Sequence, residues 1–191
     1  MLRIVLQLGI LLILLAGTGD VVSAADGDKE LEWGKEVEGV RFGIAPLSPS
    51  FRYDQPVILH MTVKNFQKVE IHISSGPYMG IYLFDVRLPN GKPAPLTLEG
   101  TRQKNDRVFN VSTSNLAPGE SHTERIMLNR YYDMTMLGEY TITIQRLVPS
   151  RPRADGTGEQ VLATSNALKV VVREYTAEEI QAQQQQESNE K

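Results

Sequence analysis

The chain has 191 residues, 20 Lys and Arg against 23 Asp and Glu, a formal charge of −3, and no cysteine. The missing cysteine excludes disulfides, thiol catalysis and lipid attachment to a cysteine behind a leader. Basic residues come singly or in isolated pairs, so the sequence carries no electrostatic footprint for nucleic acid or an anionic membrane.

Residues 1–24, MLRIVLQLGILLILLAGTGDVVSA, read as a secretory signal peptide. Arg3 gives a positive start, an apolar run covers residues 4–16, and small residues precede residue 25. The run is shorter than the roughly 20 residues that a spanning helix needs. The expected location is therefore exported, periplasmic or extracellular, with no membrane span after cleavage; an uncleaved N-terminal anchor is the alternative. About 165 residues remain, enough to bury a core without disulfide staples. A secreted chain of this kind suggests a bacterial exported protein.

Residues 25–37 form a polar lead that holds Trp33, the single tryptophan. Its ring is expected to pack on the domain edge. Residues 38–175 then alternate with a period of two, the spacing of half-buried strands. Val40, Phe42 and Ile44 share one face; so do Val57, Leu59, Met61 and Val63; so do Val69, Ile71 and Ile73. Asn90-Gly91 suggests a type I′ hairpin turn, with Pro93 and Pro95 making the following strand an edge strand at best. Ile126 and Leu128 form another inward set, as do Tyr140, Ile142 and Ile144, and a last strand lies near residues 168–172. No amphipathic helix separates these runs. The pattern predicts one all-β domain, a sandwich of about 8–9 strands. Residues 176–191 are a Gln-rich tail; Thr176 and Glu179 fit a capping box, so the tail is expected as a frayed helix or disordered.

Residues 129–147, NRYYDMTMLGEYTITIQRL, are the most patterned stretch. Gly138-Glu139-Tyr140-Thr141-Ile142 resembles the corner of immunoglobulin-type sandwiches, where a tyrosine hydroxyl bonds back to the preceding backbone. Asp133 lies further upstream than the corner aspartate of antibody domains. Ile142 stands where their disulfide cysteine would be. LAPGES at 116–121, MTVKN at 61–65 and the following VEIHI are similar to segments of bacterial secreted immunoglobulin-like domains. The likeness extends loosely to the intracellular proteinase inhibitor type and macroglobulin-like modules. It implies an immunoglobulin-like Greek-key fold, binding or scaffold roles, and no shared catalytic residues.

Read physically, Gly138 turns the chain at an αL-type position without Cβ strain. Tyr140 buries its ring, and its hydroxyl needs a partner worth about 1–2 kcal/mol. Met134, Met136 and Leu137 are expected to close the end of the core. Tyr131 and Tyr132, if extended, point to opposite sides, which would leave one outside beside Asp133.

Three histidines, His60, His72 and His122, offer the only obvious metal ligands besides carboxylates. His60 and His72 fall out of phase with the inward residues, and no third ligand has recognisable spacing. Hydrolase, nucleotide-binding and zinc-protease motifs are absent. The expectation is a non-enzyme with no cofactor and no metal. Two loops are the surface candidates for a partner: residues 148–159, with Arg151, Arg153 and Asp155, and residues 74–80, with Tyr78 and Met79.

The resulting expectation is an exported, non-catalytic binding or scaffold protein whose partner is another protein or an envelope component. One alternative is a proteinase inhibitor offering Arg153-Ala154 as bait. Another is a carbohydrate-binding module using Tyr53 and Tyr82. The sequence leaves the oligomeric state open.

Overall fold

A computed structural model describes residues 31–76, 78–105, 112–150 and 159–189. The strands are β1 (Val40–Pro46), β2 (Ser50–Arg52), β3 (Ile58–Asn65), β4 (Ile71–Ser75), β5 (Tyr82–Arg87), β6 (Ser112–Leu116), β7 (Ser121–Met127), β8 (Gly138–Pro149), β9 (Gln160–Thr164) and β10 (Leu168–Arg173). Three helices accompany them: α1 (Tyr78–Ile81), α2 (Leu98–Asn105) and α3 (Ala177–Asn189).

The first sheet has the order β1-β3-β7. The second has the order β2-β10-β8-β5, with β9 also paired to β8. Strands β4 and β6 form a separate two-stranded ladder. The long strand β8 organises the second sheet: its first half pairs with β10, its second half with β9, and its other edge with β5. This is an all-β, immunoglobulin-like Greek-key sandwich. Consecutive strands β1 and β2 lie in opposite sheets, and β2 runs parallel to β10. That parallel pair needs no crossover helix, because the two strands are far apart in sequence.

The alternation seen in the sequence builds the core. Val40, Phe42, Ile44, Leu59, Met61 and Val63 are buried from the first sheet, and Tyr140, Ile142, Ile144, Val170 and Val172 from the second. Phe42 and Tyr82 meet between β1 and β5, with ring centroids 6.0 Å apart. Each fully buried aliphatic or aromatic side chain contributes about 1.5–3 kcal/mol by leaving water. Val69 is the exception to the expected pattern: it is exposed, and β4 begins two residues later. The buried Asn65 explains the late start. Its Nδ2 donates to the Val69 and Leu116 carbonyls, both at 2.9 Å, and its Oδ1 accepts the Gln67 N–H at 2.8 Å. The side chain thus organises the β3–β4 turn.

Two polar residues after β9 join the sheets. Ser165 exchanges hydrogen bonds with the Ile144 backbone at 2.8 and 3.0 Å. Asn166 does the same to Ile44 in the other sheet, accepting its N–H at 2.8 Å and donating to its carbonyl at 3.0 Å. The asparagine amide stands in for a neighbouring strand on β1.

Two local expectations change. The hairpin turn after β5 is not type I′. The Gly91 N–H donates to the Leu88 carbonyl and the Leu88 N–H to the Lys92 carbonyl, both at 2.8 Å. Asn90 is not among the residues with positive φ, whereas Gly91 has φ +79°. Pro89 and Asn90 are therefore the centre of the turn, and Gly91 is the left-handed residue of a bulge. Second, α2 lies among runs where no helix was expected. Thr97 caps it through the Gly100 N–H at 3.0 Å. The tail takes the helical form of the two expected: α3 is a 13-residue helix that begins with the reciprocal bonds of a capping box. The Thr176 N–H donates to Glu179 at 2.8 Å, and the Glu179 N–H to the Thr176 hydroxyl at 3.3 Å.

Candidate functional site

The corner stretch is largely structural. Gly138 opens β8 with φ +124°, a positive angle more extended than the αL value expected. A Cβ there would stand 2.9 Å from Pro89, so the β5 hairpin closes over this glycine. Tyr140 is fully buried, but its hydroxyl makes no hydrogen bond of full geometry. Burial raises its pKa first; the Met136 backbone N–H pulls it down, and the Asp133 charge pushes it up again. The amide faces the oxygen without reaching hydrogen-bond geometry. The corner therefore has the expected residues but not the expected bond. Asp133 turns its Oδ1 back to the Thr135 N–H at 3.1 Å and hydroxyl at 2.7 Å.

Tyr131 and Tyr132 are both buried, so neither is left outside beside Asp133. Tyr131 has helical φ/ψ at the end of a 3-10 turn, and alternation holds only for extended chain. Tyr132 packs on Phe84 with centroids 6.1 Å apart. Its pKa is pushed up to about 12, first by burial and then by the Asp85 carboxylate. Of the three residues expected to close the core, Met134 does, whereas Met136 and Leu137 are exposed. A cavity of about 160 Å³ opens between Tyr53, Tyr132, Asp133 and Thr135. That is below the roughly 300 Å³ at which small-molecule sites begin.

The expected partner loops are only partly in view. Arg151, Arg153 and Asp155 lie outside the described residues. Tyr78 and Met79 begin α1, and their side chains lie outside the description too. Within segment 74–80, Ser74 and Ser75 end β4 and residues 78–80 belong to α1. Tyr82 is buried, so it forms no exposed aromatic row with Tyr53. Trp33 packs as expected: Gly43 leaves room for its ring, which a Cβ would approach to 3.2 Å. His60 lies on β3 and His72 on β4, in different sheets, and His72 Nδ1 is 2.7 Å from Asn115 Oδ1.

A polar relay enters the core at the end of β8. Arg146 follows Ile142 and Ile144 on the inward face and is 1% exposed. Its Nη1 donates to the Tyr82 hydroxyl at 2.9 Å and its Nη2 to the Ser74 carbonyl at 2.8 Å. Tyr82 donates onward to Glu124 Oε2 at 3.0 Å. Glu124 Oε1 accepts the Ser75 hydroxyl at 2.7 Å and lies 3.3 Å from His122 Nε2. Guanidinium and carboxylate are thus linked through one phenol, which keeps the buried charges compensated. Serine and histidine both address the carboxylate and not each other, so the set lacks the order of a nucleophilic triad. Sequence phase could have flagged these residues: His122 and Glu124 precede Ile126 at intervals of two, as Arg146 follows Ile144.

The outer face of the second sheet is different. Its charges pair off: Arg87 with Asp85 at 2.7 Å, and Lys169 with Glu139 at 2.8 Å. Beyond them, toward the end of β8, register places Leu147 opposite Leu162 and diagonal to Leu83. These leucines are 57% (Leu83), 48% (Leu147) and 45% (Leu162) exposed. They form an apolar stripe across β5, β8 and β9. Among the described residues no helix is long and apolar enough to cross a membrane. No protein-family model matches the chain, and no curated protein matches it.

Proposed function

We propose that the protein is an exported, non-catalytic binding or scaffold protein of the cell envelope or exterior. It holds another protein on the outer face of β5, β8 and β9. The observation that carries this reading is the Leu83–Leu147–Leu162 stripe. Isolated surface leucines are ordinary, but neighbouring ones across three strands, beside neutralised charges, mark a surface that gains by being covered. The signal-like residues 1–24 support export. The resemblance to secreted immunoglobulin-like domains, and more loosely to proteinase-inhibitor and macroglobulin-like modules, supports binding over catalysis.

The test is retention of partner on the immobilised mature chain from its native host. Leu83→Ser, Leu147→Ser and Leu162→Ser together should abolish capture of a defined partner while leaving the thermal midpoint within a few degrees. Undiminished capture by the folded triple variant would reject the assignment.

A further inference from the structure

The first sheet presents a second surface of opposite character. The outward positions of β1, β3 and β7 supply Arg41, His60, Lys64 and Arg125, and no Asp or Glu. Register makes two groups of them. Arg41 stands opposite Lys64, and His60 stands opposite Arg125. The groups are four residues apart along β3, about 13 Å in a strand. Phe66 sits under the first group, its ring centroid 4.7 Å from the Arg41 guanidinium carbon and 5.2 Å from Lys64 Nζ. Among the described residues, neither Lys64 nor His60 has a carboxylate partner. Cations scattered over 85 positions of sequence meet only once the strands pair.

The chain's own lead shows what this face accepts. A Cβ at Gly43 would fall 2.8 Å from the Glu32 carbonyl and 3.2 Å from the Trp33 ring, so residues 31–33 lie over the outward side of the edge strand β1. Glu36 then places its carboxylate 3.1 Å from Arg41 Nε. One carboxylate of the lead, that of Glu36, thus already uses part of the surface. We infer that this basic face is a docking site for an extended acidic segment of a partner protein. Carboxylates of that segment pair with Lys64 and with the His60–Arg125 group. The inference is independent of the leucine stripe, which lies on the opposite sheet.

The experiment uses the mature chain and a labelled ten-residue peptide with Glu at alternate positions, followed by fluorescence anisotropy. Trp33 emission gives a second readout from the face itself. The expected result is saturable binding that weakens with added salt and is lost when every Glu is replaced by Gln. Lys64→Glu and Arg125→Glu should each weaken binding by about tenfold or more, and Arg125→Gln by less. Leu83→Ser, on the other sheet, should leave it unchanged. Equal affinity for the Gln peptide, or no effect of the charge reversals in folded protein, would overturn the inference. So would equal or tighter binding of phosphatidylglycerol vesicles or a single-stranded oligonucleotide, which would make the face a general polyanion surface.

Discussion

Tyr82 and Tyr140 are both buried, yet their hydroxyls are held differently. The Tyr82 hydroxyl accepts from Arg146 and donates to Glu124, so it joins two charged groups. Tyr82→Phe removes both bonds and should cost about 2–3 kcal/mol, the range for hydrogen bonds to charged groups. The Tyr140 hydroxyl lacks a bond of full geometry. Tyr140→Phe should therefore shift stability by less than about 1 kcal/mol, because little is lost when an unsatisfied polar atom leaves a core. Urea denaturation of the two variants measures the contrast, and equal losses would contradict it. The sequence pointed to Tyr140 through its corner-like surroundings and to a partnered hydroxyl there. It gave no comparable sign of Tyr82, because a phenol's partners come from β7 and β8, strands distant in the chain. Gly138 was legible as special, but the reason is joint: a positive φ and contact with Pro89. Gly138→Ala should cost about 1–3 kcal/mol by denaturation midpoint; an unchanged midpoint would show that the hairpin yields freely.

At the scale of elements, strands were readable and helix α2 was not. Alternation fixes which strand face is apolar, so β1, β3 and β8 stood out from local sequence. Helix α2 leaves no such trace. Its one large apolar residue, Leu98, is 93% exposed, and its buried contact is Gly100. A Cβ on Gly100 would lie 2.1 Å from the Tyr131 carbonyl oxygen, so the helix docks through backbone. Helix α3 was half legible, since its capping box is local but its anchoring is not. Glu179 also binds Arg173 through two bonds, at 2.7 and 2.9 Å. Tyr175 adds a hydrogen bond to Asp54 and stacks under Arg52 at 4.4 Å. A helix of this length is marginal alone, so this cluster is what secures its first turn.

The same cluster makes the helix sensitive to acid. The Arg173 bonds, followed by the Thr176 N–H, hold the Glu179 pKa down at about 2 from its ordinary 4.5. A depressed folded pKa means the contribution is fully present above about pH 5 and is lost as pH falls through about 2. Amide NMR signals of residues 177–180 should therefore remain helical at pH 6 and lose helical shifts below pH 3. Glu179→Gln should abolish that dependence. Helical shifts unchanged down to pH 2 in the parent protein would contradict the assignment.

For the whole molecule, the two sheets present chemically different outer faces around one core. The core was legible because inward residues repeat within each strand. The faces were not, because which outward residues become neighbours depends on register between strands far apart in sequence. Leu83 and Leu162 are 79 positions apart, yet both adjoin Leu147 through β8. The join between sheets is equally non-local. Asn166→Ala removes both side-chain bonds to Ile44 and should lower stability by about 1–3 kcal/mol; a melt unchanged from the parent would mean that apolar packing alone aligns the sheets. The central claim is that the leucine face of the second sheet holds a partner. The most direct measurement places a photocrosslinking side chain at Leu147 in the mature chain within its native host, with Asn90 at the hairpin tip as control. One discrete crosslinked product from position 147, lost when Leu83 and Leu162 are changed to Ser, is the predicted result. No product at 147, or the same products at both positions, would contradict it.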